Sequence, residues 1–213
     1  MNSKGIHGGL YLVIDPAPGV DLVLPKIRAA LKGGVDVIQL WNHWHSRQDQ
    51  HGFIEAVIAA AQPLGVPVLI HEAWQWLKTL PLDGIHFDAI PGNWSEIGKT
   101  IGRPFITGLT CSNDPERIDW ALKHANYISF CSMFPSSSTD TCEIVHPQII
   151  ERTRSRTNIP IFAAGGITTE NLSGLLSLGI DGIAVISAVM KAPDPQQAAA
   201  RFKHQLTKNI HPS

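Results

Sequence analysis

The chain has 213 residues, a formal net charge of −1, and 44% hydrophobic against 16% charged residues. That balance fits one compact globular domain with a sizeable core. It gives no electrostatic case for a nucleic acid or an anionic membrane as partner. Residues 1–8 lack an apolar signal segment, and no apolar run is long enough to span a bilayer. The three cysteines, Cys111, Cys131 and Cys142, show no CxxC spacing. Reduced thiols in a cytoplasmic protein are therefore expected.

The first expected strand is GLYLVID (9–15), with Asp15 placed to cap the loop after it. VLPKIRAALKGG (23–34) has apolar residues at helical spacing and ends in glycine, as a helix C-cap prefers. VDVIQL (35–40) is the second strand, and it runs into a loop crowded with rings: Trp41, His43, Trp44 and His45. FIEAVIAAAQPLG (53–65) is a second helix, followed by the strand GVPVLIH (65–71). HEAWQWLKTL predicts a helix in which Trp74 and Trp76 pack. The strands LDGIHF (82–87) and GRPFITGLT (102–110) come next.

DPERIDWALKHA (114–125) opens with an Asp N-cap, a proline in the first turn and an early acid, with Trp120 on its core side. ANYISF (125–130) and NIPIFAAGG (158–166) are strands six and seven. The alternating Arg152, Arg154 and Arg156 mark a solvated helix end, where cations are favoured. TTENLSGLLSLG (168–179) predicts a helix, IDGIAVIS (180–187) the eighth strand, and DPQQAAARFKHQL (194–206) the last helix. Strand starts recur about every twenty residues, and those after the first are preceded in turn by Asp or Asn and by proline. Eight such units without a linker predict a single α/β domain over 1–213, with a core at about 9–208. The expected architecture is a (β/α)8 TIM barrel, preferred over a doubly wound sheet.

In such barrels the working residues lie at the C-terminal ends of the strands. AAGGIT (163–168) follows strand seven, and ISAVMK (186–191) follows strand eight. Adjacent glycines let backbone N–H groups approach an anion, and the short segment after strand eight presents more of them. A phosphate site at Gly165, Gly166, Ile186 and Ser187 is expected. Cys111 has no charged neighbour in sequence to lower its pKa and is expected to be structural.

LKGGVDVIQL, LDGIHF, FAAGGIT and DGIAVISAV together resemble the thiamine-phosphate synthase family, which includes the thiazole tautomerases. The resemblance runs from Gly9 to about Lys208. It implies a barrel that binds a thiazole phosphate at loops seven and eight. It also implies that this substrate is joined to a hydroxymethylpyrimidine diphosphate, with Mg2+ used and pyrophosphate released. Gln39 stands where the family has a pyrimidine-binding glutamine, His86 matches the histidine of G-[IV]-H, and Thr110 stands where a serine is usual. The family's x-R-x-K after the glutamine is here Leu40-Trp41-Asn42-His43, and its Asn-Asp after strand three is His71-Glu72. The Gly-Gln after strand four, with an Asp soon after, is replaced by Asp88-Ala89-Ile90-Pro91. The lysine of a T-x-T-K context falls in Ser136–Asp140, which carries no cation, and the tautomerase branch's histidine falls near Ser132.

The expected reacting end is therefore His86, Glu72, Thr110 and His43, with Glu72 also the expected Mg2+ ligand. Expected substrate-binding residues are Gln39, Trp41, His71, Ser132, Gly165, Gly166, Ile186 and Ser187. The implied partner is a small phosphorylated heteroaromatic substrate, with a homodimer as the expected assembly. The missing cation clamp leaves two alternatives beside the synthase: a tautomerase and a non-catalytic phosphate-ligand binder. Three readings of the ring-rich loop also stay open. It could stack on a substrate ring and move protons, since histidine titrates near neutrality. His43, His45, His71, Glu72 and His86 could hold Zn2+ or a similar ion. Or the loop could pack its rings on the barrel rim.

Overall fold

The computed structural model describes residues 5–135 and 143–210. The strands are β1 (Gly9–Ile14), β2 (Val37–Leu40), β3 (Val68–His71), β4 (Gly84–Phe87), β5 (Ile106–Thr110), β6 (Tyr127–Cys131), β7 (Ile161–Ala164) and β8 (Gly182–Val185). All pair in parallel and in sequence order, and β8 returns to β1 to close the barrel. The expected (β/α)8 architecture is the one observed.

The alternation of Asp or Asn before every second strand has a mechanical reason. Asp36, Asp83, Asn126 and Asp181 stand just before β2, β4, β6 and β8. Their side chains accept backbone N–H groups of the preceding strand's edge: Leu10, Val68, Thr107 and Ile161, each at 2.8–2.9 Å. Their own N–H groups return bonds to the carbonyls of those four residues. A buried, unpaired ladder end would cost free energy, and the Asp or Asn removes that cost at the bottom of each strand pair. Lys203 holds Asp36 and Arg154 holds Asp181 at the same face. Stability devices thus gather at the face away from the site, as this fold favours.

Successive strand residues point to opposite faces. Leu10, Leu12, Ile14, Ile38, Leu40, Ile70, Ile85 and Phe87 point outward into the helix layer. Tyr11, Val37, Leu69, Ile106, Tyr127 and Phe162 point inward and fill the lower barrel. Gly108 makes that filling fit, because a Cβ there would overlap the Tyr127 ring. Above this layer the inward positions turn polar: Gln39, His71, His86, Thr110 and Ser129.

The helices are α1 (Val20–Lys32), α2 (Gln50–Ala61), α3 (Trp94–Ile101), α4 (Pro115–His124), α5 (Pro147–Arg154), α6 (Leu172–Leu176), α7 (Ser187–Met190) and α8 (Pro195–Ile210). Asp114 caps α4 as its sequence predicts, accepting the N–H groups of Glu116 and Arg117. Three elements differ from expectation. Residues 74–78 form a 3-10 turn rather than an α-helix. α6 keeps only five residues of the predicted twelve, because Asn171 folds back onto Gly166 O and Thr168 N to shape the loop after β7. α3 was not predicted. It carries only two buried residues, Ile97 and Ile101, and ends on left-handed Gly102. No helix among the described residues is long and apolar enough to cross a membrane.

Candidate active site

The upper barrel opens into a cavity of about 640 Å3. That lies in the range of small-molecule sites. Its wall includes Gln39, Trp41, His71, His86, Asp88, Thr110, Arg117 and the segments 164–168 and 184–188.

A hydrogen-bonded chain crosses the floor. Tyr11 Oη donates to Gln39 Oε1 (2.7 Å) and lies 2.8 Å from Tyr127 Oη. Tyr127 Oη is 2.7 Å from His86 Nδ1, and His86 Nε2 is 2.8 Å from Thr110 Oγ1. Thr110 also reaches Asp88 Oδ1 at 3.2 Å, and Asp88 Oδ2 meets His71 Nε2 at 2.8 Å. Each hydroxyl has one proton to give. Tyr11 spends its own on Gln39, so Tyr127 donates to Tyr11. His86 then carries its hydrogen on Nδ1, and its Nε2 lone pair accepts the Thr110 hydroxyl. A second proton on Nε2 would reverse this bond and turn the Thr110 hydroxyl toward Asp88. Asp88 is an acceptor, so His71 presents Nε2–H to it. His71 Nδ1 is buried without a hydrogen-bond partner.

The register explains the assembly. His71 and His86 are direct neighbours across β3 and β4, and their rings stack at 6.3 Å. Burial lowers the His86 pKa to about 4, against a smaller upward pull from Asp88 and a further lowering by His71. Burial also tends to raise Asp88, but the His71 hydrogen bond, the two histidines' charges and Thr110 outweigh it and hold the carboxyl at about 2. Burial pushes both Tyr11 and Tyr127 well above the ordinary tyrosine value. His86 is thus neutral at pH 7, and Asp88 is ionised. The unfolded chain protonates His86 from about pH 6.5 downward, whereas the folded chain does so only near 4. Folding stability should therefore fall by about 3 kcal/mol as pH drops through that window. Urea unfolding of wild type and His86→Gln at several pH values checks this. The wild type's advantage should shrink from pH 7 to pH 4, and a pH-independent difference would refute it.

At the opposite wall, Gly165 and Gly166 adopt φ of +89° and +64° and follow β7 directly. Ile186, Ser187 and Ala188 adjoin them on the cavity wall. The first amides of a helix have no intrahelical acceptor, so Ser187 and Ala188 bring free N–H capacity to the glycine pair.

Gln39, Trp41, His71, His86, Thr110, Gly165, Gly166, Ile186 and Ser187 all line this one cavity. Three other expected residues do not. Glu72, at φ +59°, turns its Oε1 back onto the N–H of Asp88 (2.7 Å). His43 stands exposed and bonds Asp15 at 3.0 Å. Ser132 lies behind the glycine pair, its hydroxyl on Phe134 O. The ring-rich loop therefore divides. Trp41 faces the cavity, Trp44 packs edge-on against Phe53, and His45 is exposed. Cys111 is buried, and burial pushes its thiol up to about 12, which makes it inert. The T-x-T-K positions 136–140 and Cys142 lie outside the described residues.

Mg2+ does not fit as a resident ion. Asp88 is the one carboxylate on the described wall; His71 Nε2–H holds its Oδ2, and its Oδ1 lies 3.2 Å from Thr110 Oγ1. Glu72 is tied to backbone. No three His, Cys, Asp or Glu among the described residues converge on a point suited to a metal. This also removes support from the Zn2+ reading.

The sequence reading missed Tyr11, Tyr127 and Arg117. Inward parity along β1 and β6 would have found the tyrosines. Arg117 lies in the first turn of the helix after β5, which faces the same end of the barrel.

The model of the thiamine monophosphate synthase family matches residues 10–189. The chain belongs to that family. A thiamine-phosphate synthase of Methanobrevibacter smithii is 30% identical over 89% of this chain and 91% of its own length. A thiamine biosynthesis bifunctional protein of Geobacter sulfurreducens is 30% identical over 91% of this chain, which spans 39% of that longer protein. The solved thiamine phosphate pyrophosphorylase of Pyrococcus furiosus superposes with a TM-score of 0.82, at 22% identity and 98% coverage of both chains. That likeness is one of fold. The family membership makes this chain a thiamine-phosphate synthase-like enzyme.

Proposed function

We propose that the chain joins a thiazole phosphate to a hydroxymethylpyrimidine diphosphate and releases pyrophosphate. The observation that carries this reading is one cavity with two different ends. A glycine-built anion cradle stands after β7 and β8, and a polar chain runs from Gln39 to Asp88. The cradle suits the phosphate monoester, with Gly165, Gly166, Ile186 and Ser187 around it. Gln39 and Trp41 would hold and stack the pyrimidine, and His86, Thr110 and His71 would order the reacting end. The thiazole nitrogen supplies the electron pair of the new bond to carbon. The C–O bond to the diphosphate breaks, and its oxygen leaves with the bonding pair. Stabilising that charge in a dry site is worth several kcal/mol. Mg2+ is proposed as a companion of the diphosphate, since it prefers substrate phosphates and water. No residue of this chain is assigned to hold it.

The tautomerase remains the second reading. A neutral, buried His86 beside Asp88 suits proton transfer on a thiazole phosphate with no diphosphate present. The deciding assay supplies both substrates and Mg2+ and follows thiamine phosphate and pyrophosphate. Equal yields of the two are expected. Thiazole phosphate binding without either product would overturn the synthase reading in favour of the tautomerase or a binding protein.

A further inference from the structure

We infer that Arg117 is the cation that holds the diphosphate, relocated from the loop after β2 to the first turn of α4; this rests on the synthase reading. The loop positions where the family carries Arg and Lys are here Trp41 and His43. Yet the wall of the cavity is not without a cation. Among the described residues lining it, Arg117 is the one Lys or Arg. It bonds the backbone of Asp88, whose side chain meets His71 and lies near Thr110, so it stands on the side of the proposed reacting end.

The guanidinium is built into place. Asp114 caps α4 and takes the Arg117 N–H, and its carboxylate also meets Arg117 Nε at 3.2 Å. Arg117 Nη1 donates to the carbonyl of Asp88 at 2.7 Å. These two contacts brace the fork from the α4 side and from the β4 side. No hydrogen bond among the described residues uses Nη2. A braced arginine with a free edge is what a phosphoryl oxygen needs, because the fork offers parallel donors with little ordering left to do. The nearby Asp88 carboxylate would repel an anion, but the His71 Nε2–H holds one of its oxygens and turns it from the guanidinium. The two phosphoryl ends would thus be held by different means: neutral backbone N–H groups at loops seven and eight, and a cationic side chain at α4.

The test uses the full-length protein with inorganic pyrophosphate as probe, titrated calorimetrically into wild type, Arg117→Gln and Arg117→Lys. Thiazole phosphate is titrated in parallel. We expect pyrophosphate affinity to drop at least about tenfold in Arg117→Gln, with thiazole phosphate affinity within about twofold of wild type. Arg117→Lys should recover part of the loss, and KM for the pyrimidine diphosphate should rise in the same order. Unchanged pyrophosphate affinity in Arg117→Gln overturns the assignment, as does a wild type that binds no pyrophosphate, or an equal loss for both ligands. Should the glutamine variant unfold, the lysine variant alone decides. A severalfold loss confined to pyrophosphate supports the assignment, and wild-type affinity overturns it. Thiamine phosphate formation by the wild type judges the synthase reading separately.

Discussion

His86→Ala is expected to lower kcat by about 100-fold, the scale set by losing a group that orders the reacting atoms. KM for thiazole phosphate should stay within about threefold, because the glycine cradle stands after β7 and β8 while His86 stands on β4. His86 joins two halves of the cavity. Its Nδ1 ties the imidazole to Tyr127, and through Tyr127 and Tyr11 to Gln39; its Nε2 meets Thr110, which lies beside Asp88 in the proposed reacting end. Two further variants separate these halves. An asparagine amide can reach the place of Nδ1, and a glutamine amide the place of Nε2. If His86 matters through Thr110, glutamine should recover activity and asparagine should not. If it matters only by bracing Tyr127, the order reverses, and its assignment to the reacting end is wrong. The pH profile supplies a second reading. The activity limb belonging to His86 should fall near pH 4 rather than near 6.5, since burial holds the ring neutral between them.

The barrel was legible because its signals are repeated and local. Prolines and Asp or Asn residues announce each strand after the first, and the structure shows Asp36, Asp83, Asn126 and Asp181 closing the ladder below. The place of Gly165 and Gly166 on the cavity wall was legible because adjacent glycines directly after a barrel strand mark a tight backbone turn at its C-terminal end. The proposed reacting end was legible only as a set of strand-end residues. Which of these face inward depends on parity and register. His71 and His86 meet because β3 and β4 pair in that register, a fact that neither segment states alone. Glu72 was misplaced by one residue of parity. It follows inward-facing His71, takes a positive φ, and folds onto Asp88 N instead of reaching the cavity. Tyr11 and Tyr127 read as ordinary strand aromatics; their hydroxyls become functional candidates only when the barrel closes and brings them to 2.8 Å. α3 was illegible because two buried isoleucines in eight residues make a weak periodic signal.

Gly165→Ala is expected to weaken thiazole phosphate binding by about 100-fold, close to 3 kcal/mol. Two independent costs meet at this position. At φ +89° an L-residue is strained, by about 1–3 kcal/mol. The new Cβ would also overlap Ser132 Oγ and come within 2.9 Å of Ser132 Cα, and that second contact is backbone that cannot swing aside. The loop must therefore shift, and the amides it presents shift with it. Ser132→Gly in the Gly165→Ala background removes the hydroxyl clash but not the strain, so it should restore part of the affinity and not all. Gly174→Ala is the control. A Cβ there meets nothing within 4 Å, and it sits in the short α6, where alanine is the better helix former. Calorimetric titration with thiazole phosphate, alongside urea unfolding of each variant, reads binding and stability separately. Loss of stability without loss of affinity would mean that the glycine pair is only a turn, and the phosphate would have to be sought elsewhere on the cavity wall.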